Sequence, residues 1–291
     1  MPLDPAQLLA LDIPEIVQPY TAKDTILYAL GIGLGQDPTD ERQLRFVLED
    51  GLQALPSMVC VLAHPPFWIR DHVKDVDWLK VVHGEQSYRL HAPLPPAGTI
   101  RSKLRVRDVF DKGEGKGVLL VSERTLTDAE TGECIATVMH SAFCRGEGGF
   151  SGSAPKSPPA PALPARAPDM VCDLPTRPET ALLYRLSGDL NPLHAVPSYA
   201  RNAGYEKPIL HGLATFGIAG HAILKAICSY EPDRIVAMQG RFSAPVYPGE
   251  TVRTEIWQDG AIVSFRARTV ERDAIVISNG GVELRIEQDT T

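Results

Sequence analysis

The sequence predicts an α+β protein made of two related halves, each with an apolar helix wrapped by an antiparallel sheet. Three observations support this prediction. In each half, helical segments are followed by short runs rich in β-branched residues, with Pro and Gly between them. A stretch rich in Gly, Pro, Ala and Ser, residues 147–169, separates the two series. Segments of the first half also recur in the second.

The recurrence has two spacings, because Tyr28-Ala-Leu-Gly resembles Tyr184-Arg-Leu-Ser at an offset of 156 residues and later segments match at 152, which indicates a small insertion or deletion between them. The segment Pro93–Arg101 resembles Pro245–Arg253 at an offset of 152 residues. At the same offset Pro56 falls on Pro208, and we expect each proline to open an apolar helix. The predicted division is an N-terminal half (1–146), a linker (147–169) and a C-terminal half (170–291).

The elements of the first half follow from periodicity and punctuation. Thr25–Leu34 is a helix-compatible apolar segment that glycines then break, and Glu41–Ala63 contains helical segments on both sides of Pro56. From Trp78 onward the pattern is that of antiparallel strands. The predicted strands are Val81–Val82, Ser87–Tyr88, Thr99–Val109, Gly117–Leu126 and Cys134–Cys144.

The second half repeats this order. Helices are predicted at Thr180–Leu186 and at roughly Leu213–Cys228, with an irregular stretch between them. Four strands follow the long helix. They are Met238–Val246, Thr251–Trp257, Ala261–Thr269 and Ile275–Leu284.

Composition excludes some classes of function. With a net charge of −7 and a pI near 5.6, the chain lacks the basic footprint of a general nucleic-acid binder. No apolar run is long enough to span a membrane, and the first residues do not form a signal peptide. The five scattered cysteines without a C-x-x-C spacing indicate reduced thiols in an intracellular protein. We therefore expect a cytoplasmic protein.

Candidate catalytic groups are concentrated around Pro192. Asp189 and His194 lie five residues apart and would face different sides of a continuous helix, about 140° from each other. Gly188 and Pro192 break such a helix, so the irregular backbone can aim both side chains at one point. Asn191 before Pro192 is also a good N-cap. An acid/base pair of this kind can activate water.

The long apolar helix begins beside this pair, at His211-Gly212. The first N–H groups of a helix have no internal partner and carry the positive end of the dipole, so the Gly212 amide can face a thioester oxygen. His211 is expected to pack or hydrogen-bond rather than to act as a base. The eight histidines show no metal-ligand spacing, so neither a metal nor another cofactor is expected.

The segment Tyr184-Arg-Leu-Ser-Gly-Asp-Leu-Asn-Pro-Leu-His194 closely resembles the hydratase motif of the MaoC-like, (R)-specific enoyl-CoA hydratases, including the hydratase domain of the peroxisomal multifunctional enzyme type 2. Nearly the whole chain supports the resemblance. The supporting segments are Tyr20–Gly35, Leu55-Pro56, His83–Gln86, Pro93–Gly98, Pro208–Gly217 and Arg241–Gly249.

The resemblance implies a double hot-dog fold and reversible hydration of trans-2-enoyl-CoA to (3R)-3-hydroxyacyl-CoA. By matching positions, Asp189 and His194 would bind and activate water, Asn191 would position them, and the Gly212 amide would form the oxyanion hole. CoA would enter as part of the substrate, and a homodimer is implied. The N-terminal half, which lacks these groups, would make room for the acyl tail.

Further residues are candidates for substrate binding. Arg185, Lys207 and Arg241 can form a basic rim for CoA phosphates, and His211 and Glu85 can line the site. The family commonly has an Asp where this chain has Val196, and we expect that departure to change local geometry rather than chemistry.

Three other functions stay open on the sequence: an acyl thioesterase, a 3-hydroxyacyl thioester dehydratase, and a non-catalytic acyl-CoA-binding subunit. The absence of a carboxylate inside the central helix argues against the thioesterase, and the intact Asp189 and His194 argue against the binding subunit. The sequence distinguishes neither acyl chain length nor the pathway, which ranges from β-oxidation to polyester precursor supply.

Overall fold

The computed structural model describes residues 4–73, 76–150 and 162–286. Seven α-helices and ten strands are defined in these ranges. The helices are α1 (Pro5–Leu9), α2 (Ala22–Gly31), α3 (Glu41–Leu44), α4 (Trp68–His72), α5 (Thr180–Tyr184), α6 (Pro197–Asn202) and α7 (Gly212–Ala226). The strands are β1 (Ile16–Tyr20), β2 (Val81–Leu90), β3 (Gly98–Asp111), β4 (Val118–Asp128), β5 (Cys134–Cys144), β6 (Met170–Pro175), β7 (Ile235–Phe242), β8 (Thr251–Asp259), β9 (Ile262–Thr269) and β10 (Ile275–Leu284).

All ten strands form one antiparallel sheet with the order β1-β3-β4-β5-β2-β7-β10-β9-β8-β6. Strands β1–β5 occupy one end and β6–β10 the other, and the pairing of β2 with β7 joins them. The predicted strands alternate as expected for a sheet with one buried face: in β3, Leu104 and Val106 are buried whereas Lys103 and Arg105 are exposed. The two predicted fragments Val81–Val82 and Ser87–Tyr88 belong to the single strand β2.

The sequence analysis missed the two strands at the sheet edges. β1 contains Pro19 and β6 ends at Pro175, and proline weakens a strand pattern because it cannot donate to the ladder. An edge strand has one unpaired side, so proline is tolerated there. Both strands consequently carry weak sequence signals while forming the two ends of the sheet.

Helix α7 forms the centre of the C-terminal half. Eleven of its residues, from Ala214 to Leu224, are buried. It packs against β6, β7, β8 and β10 on one side and against the segment Pro56–Cys60 on the other. The predicted helix is confirmed, but the expectation that Pro208 opens it is wrong. Leu210 donates its N–H to the Val246 carbonyl at 2.8 Å, which holds the chain outside the helix until His211.

In the described residues of the N-terminal half, Pro56 does not open the apolar α-helix that was expected there. A short 3₁₀ helix, Pro56–Cys60, stands in its place, followed by a turn in which Ala63 has a φ of 46°. Pro65 accounts for the difference, because it disfavours helical dihedrals at His64 and ends the segment early. Both halves therefore contribute strands to one sheet, but the long helix α7 packs on the strands of the C-terminal half, whereas a short 3₁₀ helix lies in the corresponding place of the N-terminal half.

Residues 151–161 of the predicted linker lie outside the described part of the chain. Residues 162–169 form no helix or strand, and β6 begins at Met170, the predicted start of the C-terminal half. Arg166 holds this segment against β8 by accepting the Trp257 Nε1–H at its carbonyl, at 2.8 Å. Among the helices of the described residues, none has the length and apolarity needed to cross a membrane.

Candidate active site

The backbone between α5 and α6 turns as the sequence predicts. After α5, a 3₁₀ turn (Arg185–Ser187) ends at Gly188, whose φ of 117° is available mainly to glycine. A second 3₁₀ turn, Pro192–His194, precedes α6, which Gly204 closes with a φ of 87°. These interruptions bring Asp189 and His194 to the same point.

Asn191 forms hydrogen bonds to Asp189 on one side and to Leu193 on the other. Its N–H donates to Oδ1 of Asp189 at 3.1 Å, and its own Oδ1 accepts the N–H of Leu193 at 3.0 Å. The second bond caps the 3₁₀ turn that carries His194. The Asn191 side chain is thus engaged in capping, and the Asn191 backbone N–H orients the Asp189 carboxylate, which is exposed to solvent.

His194 is buried with one nitrogen committed. Its Nδ1 lies 2.8 Å from the Ile209 carbonyl oxygen. A carbonyl oxygen only accepts, so Nδ1 carries the hydrogen and Nε2 keeps its lone pair. Burial lowers the pKa of His194 below its ordinary value of 6.5, although the Ile209 bond and the Asp189 charge oppose this. The neutral imidazole can therefore accept a proton at Nε2.

His211 contacts both catalytic candidates, His194 through its ring and Asp189 through a hydrogen bond. Its ring stacks on that of His194 with the centroids 3.7 Å apart. Its Nε2–H donates to the Asp189 carbonyl at 3.1 Å, which ties α7 to the catalytic turn. Burial and the neighbouring His194 lower the pKa of His211 to about 4, so this ring is also neutral near pH 7. This geometry fits the packing and hydrogen-bonding role that was expected for His211.

Asp189, His194 and His211 each place one potential ligand atom within 4.8 Å of those of the other two. A carboxylate and two neutral imidazoles at this separation can hold a water molecule between them. The same set resembles the two-histidine, one-carboxylate arrangement that binds transition metals.

The N-terminus of α7 lies directly beside this group. His211 is its N-cap residue and Gly212 its first helical residue, so the first amides of the helix have no intrahelical acceptor. A Cβ at position 212 would lie 3.4 Å from the Phe242 ring. Glycine therefore leaves the space between this amide and Phe242 open to a ligand oxygen.

The five candidate binding residues are placed differently. His211 lies in the site, and the charge of the half-buried Arg185 contributes to the lowered pKa of His211, after burial and His194. Lys207 is exposed, with Nζ 5.4 Å from the centre of the Tyr247 ring. Glu85 and Arg241 are cross-strand partners of β2 and β7. Because Phe242 faces Gly212, its neighbour Arg241 and the opposing Glu85 face away from α7.

Two other features complete the local geometry. Val196 is the N-cap residue of α6 and makes no side-chain capping bond, as expected for a departure that affects geometry. Tyr184, which the sequence analysis did not single out, packs its ring 5.1 Å from His211 and 5.9 Å from Tyr28. The available signal was the recurrence of Tyr28 at Tyr184 in the repeat, since paired buried tyrosines mark the contact between the halves.

Two family models match separate parts of the chain. A family described as MaoC like domain matches residues 160–280, and one described as MFE-2 hydratase 2 N-terminal domain matches residues 19–146.

Two of the curated relatives match over nearly their whole length. The chain is 39% identical to 3-hydroxyacyl-thioester dehydratase Y of Mycobacterium tuberculosis, over 97% of this chain and 99% of that protein. It is 36% identical to the peroxisomal enoyl-CoA hydratase 2 of Arabidopsis thaliana, over 96% of this chain and 94% of that protein.

Solved structures agree with the fold. A MaoC-like dehydratase from Phytophthora capsici superposes with a TM-score of 0.87 at 31% identity, covering 99% of this chain and all of that one. A conserved hypothetical protein of Mycobacterium tuberculosis, described as a double hot-dog fold, gives a TM-score of 0.57 at 15% identity, over 94% of each chain. The predicted α+β double hot-dog fold is confirmed.

Proposed function

The chain belongs to the MaoC-like hydratase family, and we propose that it catalyses the reversible hydration of trans-2-enoyl-CoA to (3R)-3-hydroxyacyl-CoA. The enzyme is a hydro-lyase, as the names of its relatives indicate. The relative named as a dehydratase fits the same proposal, since dehydration is this reaction in the opposite direction.

One observation carries the proposal: Asp189 and a neutral His194 converge beside the free amides at the start of α7. Adding water to a conjugated thioester requires a base for the water, a proton for Cα and a donor for the developing enolate oxygen. The site offers candidates for all three tasks without a covalent intermediate.

The proposed mechanism uses one water molecule. Asp189 and Nε2 of His194 hold it, and His194 removes a proton as the oxygen attacks Cβ. Charge develops on the thioester oxygen, where the Gly212 N–H donates a hydrogen bond. His194 then returns the proton to Cα. General base catalysis contributes about 10²–10⁴-fold, and an oxyanion donor contributes about 3–4 kcal/mol.

We propose that this chemistry proceeds without a metal or another cofactor. The reaction needs no Lewis acid, because the α7 amide supplies the donor for the thioester oxygen. Lys207 and Arg185 are the proposed basic contacts of the CoA phosphates. Lys207 lies in the loop that leads to His211. Lys207 and Arg272 both lie over the ring of Tyr247.

The test is steady-state hydration of crotonyl-CoA and longer enoyl-CoA substrates by the purified chain, with and without a chelator. We expect a (3R) product and unchanged rates after chelation. Release of free CoA thiol from saturated acyl-CoA would instead favour a thioesterase. Binding without turnover would favour a non-catalytic subunit. An (S) product would contradict the proposed approach of water, and loss of activity on chelation would place a metal between Asp189 and the two imidazoles.

Location and assembly remain proposals. We propose a cytoplasmic homodimer, although some relatives are named as peroxisomal proteins. The five cysteines are all unpaired, which fits a reducing compartment. Light scattering coupled to gel filtration tests the dimer, and a monomer at working concentration would contradict it.

A further inference from the structure

The inner face of the N-terminal half carries a band of polar side chains between two apolar clusters. On β5, Ala136 and Val138 belong to one cluster, and Ala142 and Cys144 belong to the other. His140 lies between them on the same face. Three more side chains lie with His140 at this level, and we call the four together the polar band: His64, His83, Arg124 and His140.

The members of the polar band contact one another closely. The His83 and His140 ring centroids are 4.2 Å apart, and those of His64 and His140 are 6.4 Å apart. Arg124 is buried and donates to the carbonyls of Leu62, Val59 and Cys60, at the end of the short 3₁₀ helix. Its charge is thus held by backbone carbonyls, and it lies close enough to His64 and His140 to contribute to their lowered pKa values.

Two ring nitrogens in this band face no partner among the described residues. Nε2 of His83 and Nδ1 of His140 are both buried and unpaired. Burial lowers the pKa of His140 to about 4 and lowers that of His83 well below its ordinary value, so both rings are neutral near pH 7. Buried polar atoms in folded proteins generally have a partner, so a pair of unpaired ones marks a binding position.

The polar band connects to the catalytic site through one side chain. The Phe242 ring contacts the space beside Gly212, where a Cβ would lie 3.4 Å away. The Phe242 ring also contacts His83, with the ring centroids 4.6 Å apart. A series of contacts, from Gly212 through Phe242 to His83 and His140, thus leads from the α7 amide to the polar band, and an acyl tail that follows it reaches the band beyond its first few carbons.

The short 3₁₀ helix makes this path available. In the C-terminal half the corresponding inner face is covered by α7, whose buried residues are almost all apolar. In the N-terminal half the helix stops at Cys60, so the polar band lies where a longer helix would otherwise pack. An aliphatic tail at this position would leave both histidine nitrogens unpaired, which is unfavourable.

We propose that the polar band is a binding site for an oxygen function on the acyl tail, so that the preferred substrates are enoyl-CoA thioesters whose tail bears a hydroxyl or keto group. The proposal rests on the proposed hydratase function and specifies its substrate class. A hydroxyl donates to one ring nitrogen and accepts from the other, and a keto oxygen accepts from either N–H.

The test compares matched pairs of enoyl-CoA substrates, hexenoyl to dodecenoyl, with and without an ω-hydroxyl group. At the chain length that reaches the band, we expect kcat/KM to be about tenfold higher for the hydroxylated member, the effect of one additional hydrogen bond. In His83→Leu/His140→Leu that preference should disappear, while crotonyl-CoA, which is too short to reach the band, should react within about twofold of wild type. Equal rates for both members at every length in the wild type would overturn the proposal.

Matched variants separate recognition from folding. His83→Gln/His140→Asn keeps an amide group near each unpaired nitrogen and should retain part of the preference. His91→Leu makes the same change at an exposed position directly after β2 and should leave the preference unchanged. A preference that survives His83→Leu/His140→Leu, or an equal loss with crotonyl-CoA, would show that the band has a structural role.

Calorimetry with saturated acyl-CoA thioesters gives a readout that does not depend on turnover. Tighter binding of the ω-hydroxylated thioester supports the polar band even if no hydration is detected, in which case the proposed reaction alone fails. Equal affinities for the hydroxylated and unsubstituted thioesters contradict the band, whatever the activity.

Discussion

At the scale of single residues, the site depends on two backbone carbonyls that fix the tautomers of adjacent imidazoles. The Ile209 oxygen takes the Nδ1–H of His194, and the Asp189 oxygen takes the Nε2–H of His211. Because both rings are buried and neutral, the stacked pair can accept a proton without first losing one. The Nε2 lone pair of His194 therefore stays outside the Ile209 hydrogen bond, and a ligand atom of His194 lies within 4.8 Å of one of Asp189.

His211→Phe tests the supporting part of this arrangement. Phenylalanine keeps an aromatic ring against His194 but removes the bond to the Asp189 carbonyl. We expect kcat to fall about tenfold because the catalytic turn loses an orienting hydrogen bond, while KM changes little. His211→Gln retains a donor near Nε2 and should lose less. Equal kcat losses in both variants, or a change confined to KM, would contradict a positioning role.

The sequence predicted the convergence of Asp189 and His194 because Gly188 and Pro192 exclude a continuous helix. It did not predict the tautomers, since these depend on the Ile209 carbonyl, which lies fifteen residues away. It also named Glu85 and Arg241 as binding residues without predicting where they would face. Their positions on one strand pair orient them away from α7, and strand register was not predicted.

At the scale of elements, α7 is compatible with its glycines only because other side chains fill their positions. A Cβ at Gly217 would lie 2.7 Å from Cγ2 of Ile32 and 3.1 Å from the Tyr28 hydroxyl. At Gly220 the nearest atom is Sδ of Met238, at 3.3 Å, on a flexible side chain. The first glycine is required for packing between the halves, and the second is more tolerant.

Substitution by alanine at these two glycines should therefore give opposite results. Either change gains about 1 kcal/mol of helix propensity. In Gly217→Ala, overpacking against the buried Ile32 costs about 1–3 kcal/mol, so we expect a lower free energy of unfolding. Gly220→Ala should be neutral or stabilising. Urea denaturation measures both, and a more stable Gly217→Ala would contradict the close approach of α2 and α7.

The long helix of the C-terminal half was predicted because its apolar run is continuous. The matching helix of the N-terminal half was predicted by analogy through Pro56, and this was wrong. The sequence contains Pro65, which disfavours a helix that continues past His64. The prediction instead followed the match between Pro56 and Pro208. Local chain stiffness at His64-Pro65 determines the outcome, and the polar band is its consequence.

At the scale of the whole molecule, burial of neutral histidines makes stability depend on pH. Burial lowers the pKa of His140, His211 and His221 to about 4, and it lowers the pKa of His194 as well. The unfolded chain binds these protons near pH 6.5, whereas the folded chain does not. Below pH 6.5 the unfolded state therefore holds more protons, and stability falls as pH falls.

We expect the urea midpoint to be nearly constant from pH 8 to 7 and to decrease steadily between pH 6.5 and about 4. His221→Phe, which removes one buried imidazole from the middle of α7, should make that decrease shallower. A midpoint that stays constant over the acidic range would show that these histidines charge without unfolding the protein.

The central claim is that Asp189 and His194 together activate water. Its most direct test is the hydration rate of crotonyl-CoA by Asp189→Asn and His194→Gln, with the exposed Glu206→Gln as a control for the loss of a carboxylate. We predict that each site variant loses at least about 10²-fold in kcat with unchanged unfolding midpoints, and that Glu206→Gln matches the wild type. Full activity in either site variant would contradict the account.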